Sequence, residues 1–79
     1  MVTPDSIRAS IESGLECRHL EVRGDGQHFE AVIVSPRFEG LNRVRRHQLV
    51  YGALGDRMRD EIHALSMSTL TPAEWAART

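Results

Sequence analysis

Ile7, Ile11 and Leu15 recur at i, i+4 and i+8, the single apolar stripe of an amphipathic helix, and Thr3 followed by Pro4 supplies an N-cap and a first-turn proline. This spacing predicts a helix over residues 4–15, with Gly14 near its end as a candidate terminator. The period then changes. Residues 19–23 (HLEVR) and 28–31 (HFEA) alternate polar and apolar positions, and residues 31–34 (AVIV) form an unbroken apolar run. Two strands joined by Gly24-Asp25-Gly26-Gln27 make a β-hairpin, and the unbroken run marks its second strand as central, with much of both faces covered.

Ser35-Pro36 ends that strand, and residues 36–40 lead through a turn to a helix capped by Asn42. Residues 42–60 read as helical but are interrupted by Gly52 and Gly55, which predicts two short helices meeting at an angle. Residues 62–70 alternate again, with His63, Leu65, Met67 and Thr69 on one side and Ala64, Ser66 and Ser68 on the other, as a third strand does. Thr71-Pro72-Ala73-Glu74 is a capping box that opens a last helix containing Trp75. The order is α-β-β-α-α-β-α. Helices on one face of a three-stranded mixed sheet make an α+β sandwich, and a right-handed crossover sets strand three parallel to strand two. The expected core is Ile7, Ile11, Leu15, Leu20, Val22, Phe29, Ile33, Val44, Leu54, Leu65 and Met67, with Tyr51, Met58 and Trp75 also read as packing residues.

Seventy-nine residues, 41% apolar and 27% charged, form one small globular domain spanning 1–79, near the lower limit for a fold held by its core alone. The lone Cys17 has no internal disulfide partner, and the first residues lack the basic start and apolar run of a secretory signal, which points to a reducing cytoplasm. No window approaches the roughly 18 apolar residues that cross a bilayer, so no membrane role is expected. The charge is unevenly spread: residues 1–30 hold three arginines and six carboxylates, whereas residues 37–51 hold Arg37, Arg43, Arg45 and Arg46 against Glu39 alone.

None of the four histidines and one cysteine falls in the spacing of a self-contained zinc site. His28 and His63, however, open strands that are expected to be parallel neighbours about 4.8 Å apart, so two imidazoles near one edge of the sheet are candidate metal ligands. Two imidazoles leave positions open, which a partner's thiolates would fill at an iron–sulfur centre. An isolated histidine is more often an ordinary half-buried residue than a ligand, and His19 and His47 are left as such. Arg43, Arg45, Arg46 and His47 lie within little more than one helical turn and are candidate phosphate contacts, weighed against a solvated face and an overall pI near 6.4. Gly24-Asp25-Gly26 joins two strands and so reads as a turn rather than a phosphate loop. Cys17 reads as a small buried hydrophobe, and no serine stands in a nucleophile motif, so no catalytic function is expected.

The G-D-G-Q-H-F hairpin, R-F-E-G at residues 37–40, Arg46-His47 with Tyr51, H-A-L at residues 63–65 and T-P-A-E-W at residues 71–75, taken in this order, resemble the BolA-like family, in particular its short acid-stress branch in Gram-negative bacteria. The resemblance implies a fold related to the class II KH domain. It implies a monothiol glutaredoxin as partner and a [2Fe–2S] cluster shared with that partner and glutathione, with none held by the isolated chain, which would be a monomer or weak homodimer. It implies His63 as a metal ligand and His28 as the second. The family's transcription-regulator label, with possible DNA binding, falls on Arg46 and His47. The KH-type G-x-x-G loop is absent, since G-A-L-G at residues 52–55 lies inside the helical region.

Overall fold

A computed structural model describes residues 2–58 and 64–78, the side chains of Arg57 and Met58 aside. Helix α1 spans Pro4–Gly14, strand β1 His19–Gly24, strand β2 Phe29–Val34, helix α2 Arg43–Leu54, strand β3 Leu65–Leu70 and helix α3 Pro72–Arg78, with 3₁₀ turns at Pro36–Phe38 and Gly55–Met58. Their caps are those the sequence predicts. The Thr3 hydroxyl accepts from the Ser6 amide at 3.1 Å while Ser6 Oγ accepts from the Thr3 amide at 2.9 Å, and Asn42 Oδ1 accepts from the Arg45 amide at 2.9 Å. At α3, Thr71 Oγ1 and Glu74 Oε1 exchange bonds with each other's amides at 3.1 and 2.8 Å.

The sheet order is β1-β2-β3, β1 antiparallel and β3 parallel to β2. In register, Gly24, Phe29 and Leu65 stand side by side, as do Leu20, Ile33 and Thr69. Helices α1 and α2 pack on the face that presents Phe29, Ala31 and Ile33, and the core gathers Ile7, Ile11, Leu15, Phe38, Val50, Leu54 and Leu65 around them. The third helix differs from the expectation of one helical layer: the Trp75 ring stacks on His19, which alternates to the opposite face, so α3 meets the sheet from that side.

Three further readings are corrected. Helix α2 runs through Gly52 unbroken, and the chain leaves it only at Gly55, whose φ of 62° favours glycine. Where the second of the two expected short helices begins, Gly55–Met58 form a 3₁₀ turn, and residues 59–60 lie outside the described residues. Val44 is 66% exposed, whereas Phe38 and Val50, absent from the expected core, are fully buried. Leu20, Val22 and Met67 only flank the core. Gly14 does not end α1 through a left-handed conformation. It lies where α1 touches α2, so that a Cβ there would stand 2.8 Å from Ala53 Cβ.

Candidate functional site

At one end of the sheet the hairpin is built around Asp25. Its Oδ1 accepts from the Gln27 and His28 amides, both at 2.9 Å, while its own amide donates to the His28 carbonyl at 3.2 Å. These amide bonds hold the Asp25 carboxyl below the usual aspartate range. They fix the backbone of His28 immediately before β2 and leave its ring exposed, beside Arg23 and Glu30 in an open cleft. Because Phe29 pairs with Leu65, His28 stands at the same end of the sheet as the start of β3. His63, the other candidate ligand, and Ile62, the expected start of the third strand, lie outside the described residues. No cluster of three metal-ligating side chains occurs among the described residues.

Helix α2 divides the four candidate phosphate contacts. Arg43 and Arg45 are exposed, and neither has a charged partner among the described residues. Arg46 turns inward: its Nε donates to the Leu41 carbonyl at 2.8 Å, and its Nη1 donates to the Thr69 carbonyl at 3.1 Å and to Glu74 Oε1 at 2.7 Å. Its guanidinium also lies 5.9 Å from the centre of the Phe38 ring. Arg46 thereby ties α2 to β3 and α3, and it draws the Glu74 carboxyl below the ordinary range. His47 is half-buried edge-on to Tyr51, and burial, helped by Arg43, lowers its pKa from the ordinary value of 6.5.

Among the described residues, grooves flank α2 on two sides. One, of about 680 Å³, is lined by Arg37, Val44 and Arg45, and the other, of about 480 Å³, lies between α2 and β3 and is lined by Arg43, His47 and Met67. The sequence reading missed the bonds that Asp25 makes to the Gln27 and His28 amides and, beyond the capping role it gave Glu74, the tie of Glu74 to Arg46. The Asx-turn pattern of D-G-Q-H and the carboxylate of the capping box were the available signals. Cys17 is half-buried against the core, donates to the Leu15 carbonyl at 3.4 Å, and has a thiol pKa pushed up by burial and by Glu12 and Glu16, so it is not a primed nucleophile.

The family model described as BolA-like protein matches residues 2–74. The chain belongs to the BolA-like family. Its BolA-like relatives include the acid stress protein IbaG of Escherichia coli K12, 40% identical over 73 residues that cover 91% of this chain and 87% of the relative. A BolA protein homologue from Coxiella burnetii has a solved structure that superposes with a TM-score of 0.83 at 49% identity, covering 96% of this chain and 99% of the other. The DNA-binding transcriptional regulator BolA of Haemophilus influenzae is 42% identical over 60 residues, 76% of this chain and 58% of that protein. These BolA-like relatives are named as a stress protein and a regulator. Among the described residues no helix is long and apolar enough to cross a membrane.

Proposed function

We propose that this BolA-like chain is a non-enzymatic adaptor that binds a monothiol glutaredoxin in the cytoplasm and shares with it a glutathione-ligated [2Fe–2S] cluster. The observation that carries the reading is the parallel register of β2 and β3, which sets His28 at the end of the sheet where β3 begins, two residues after His63 in the sequence. The donor chemistry fits a shared group: the exposed His28 ring has no hydrogen-bond partner among the described residues, and its backbone is held in place by Asp25. His63 and His28 would supply neutral imidazole nitrogens, and the thiolates would come from the glutaredoxin and glutathione. When bound, such a mixed nitrogen–sulfur cluster is poised differently from an all-thiolate one.

The test mixes the chain anaerobically with a monothiol glutaredoxin, glutathione, iron and sulfide and records visible absorption and circular dichroism. The expected spectrum differs from that of the glutaredoxin homodimer and is lost in His63→Ala. A wild-type spectrum retained by His63→Ala removes His63 from the site, and no spectral change in the wild type removes the shared cluster. The name of the Haemophilus influenzae relative favours a second reading, a DNA-binding regulator working through Arg43, Arg45, Arg46 and His47. With Arg46 occupied internally, that reading rests on Arg43 and Arg45, and it requires affinity that falls steeply with salt and with removal of those two charges.

A further inference from the structure

The two outer edges of the sheet differ in chemistry. Strand β1, HLEVRG, carries His19, Glu21 and Arg23, the kind of charge that blunts an edge against other strands. Strand β3, LSMSTL, carries neither charge nor proline. Its main chain can be oriented from two bonds. The Leu70 carbonyl accepts from the Ser35 amide at 3.0 Å and so faces β2, while the Thr69 carbonyl accepts from Arg46 and faces away. By strand alternation the amides and carbonyls of Leu65 and Met67 and the amide of Thr69 also face away from β2, with no partner strand among the described residues. Helix α2 stands beside this edge and walls a groove, with Arg43 and His47 on one side, Met67 and Thr69 on the other, and Glu74 at the rim.

We propose that this groove receives an extended acidic segment of the partner protein as a fourth strand, bonded main chain to main chain at Met67 and Thr69, with a carboxylate of that segment on Arg43. The proposal rests on the glutaredoxin reading above and names how that partner is held. Charge selects the occupant. Among the described residues Arg43 is the exposed cation of the groove, and Arg46 is already neutralised by Glu74. A second copy pairing edge to edge about a twofold axis would bring two cationic α2 faces together, which disfavours it. A nucleic acid offers no amide and carbonyl ladder to the strand and would meet the Glu74 carboxylate at the rim. A segment added here also runs alongside the strand that begins two residues after His63, which would bring the partner to the candidate ligand.

The experiment is residue-resolved amide hydrogen exchange on the full chain, with and without a cluster-free monothiol glutaredoxin, together with the binding affinity of Arg43→Glu. Exchange at the Met67 and Thr69 amides is expected to slow about tenfold or more in the complex, while the Ser66 and Ser68 amides, which face β2, change far less. Arg43→Glu is expected to weaken binding by about tenfold, and by less at high salt. Binding without protection at Met67 and Thr69 overturns the strand addition and leaves the glutaredoxin reading standing. No binding by the wild-type chain overturns both. Protection that grows with concentration of the chain alone, or that only a single-stranded oligonucleotide produces, assigns the edge to another occupant and overturns the proposal.

Discussion

Arg46 stands at the position that helical periodicity reserves for an apolar side chain, since residues 46, 50 and 54 follow one another at i+4 and both Val50 and Leu54 are buried. An arginine on that stripe has to bring its partners with it, and the Leu41 and Thr69 carbonyls and the Glu74 carboxylate provide them. The same stripe explains why Val44, six residues before Val50, faces solvent. Reading the arginines as one cationic surface was natural from their density along the chain, because only the tertiary positions of β3 and α3 reveal that one of the four is internal. Arg46→Ala is expected to cost about 2 kcal/mol, since it strips two carbonyls of a charged donor, and Arg46→Lys to recover part of that because an ammonium cannot span the same acceptors. Urea denaturation measures both, and a stability unchanged in Arg46→Ala would return this side chain to the solvated face. Loss of nucleic-acid binding in an Arg46 variant is therefore no measure of a phosphate contact, whereas Arg43 and Arg45 can be tested cleanly.

At the scale of elements, each glycine of the helical layer has a different role. A Cβ on Gly14 would press on Ala53 Cβ and Cα at 2.8 and 2.9 Å, so Gly14→Ala is expected to push α1 off α2 and destabilise the chain by about 1–3 kcal/mol. Gly52 lies inside α2 with open space around it and an ordinary helical backbone, so Gly52→Ala is expected to stabilise by about 0.5–1 kcal/mol. Thermal unfolding of the two variants should therefore shift in opposite directions, and a loss at Gly52 would mean that the helix breaks there after all. The element order, the hairpin, the parallel third strand and all three caps were legible because each is written in local period or capping chemistry. The continuity of α2 was not. Glycine propensity argues for a break, and packing of Val50 and Leu54 against the sheet outweighs the roughly 1 kcal/mol that one interior glycine costs. Phe38 escaped notice for a related reason: it sits alone in the Pro36–Phe38 turn, where no period flags a buried position. At the candidate site, His28 before β2 was legible from the hairpin, and the Asp25 bonds that hold it became visible only with the turn geometry.

At the scale of the molecule, the perturbed carboxylates among the described residues and the half-buried His47 all make acid unfavourable to the fold. Glu74 is held below its ordinary 4.5 by Arg46 and the Thr71 amide, Glu21 below 4.5 by its bond to His19, and Asp25 below 3.8 by the His28 and Gln27 amides. A carboxyl whose native pKa is depressed contributes stability that is fully present above its unfolded value and is lost as the pH falls through the native one. His47 acts in the same direction, because burial lowers its pKa from 6.5: the unfolded chain takes up that proton first, and stability declines as the pH drops below about 6.5. Composition showed four histidines and a pI near 6.4 and so allowed a pH response without giving its sign, which depends on partners that the fold brings together. The denaturation midpoint is expected to fall gently below about pH 6.5 and steeply below about pH 4.5. Glu74→Gln removes one of these carboxylates, so its curve should start lower at neutral pH and slope less on the acid limb, the two curves converging as the native Glu74 protonates. An acid limb as steep in Glu74→Gln as in the wild type would mean that the Arg46–Glu74 tie between α2 and α3 contributes nothing to folding.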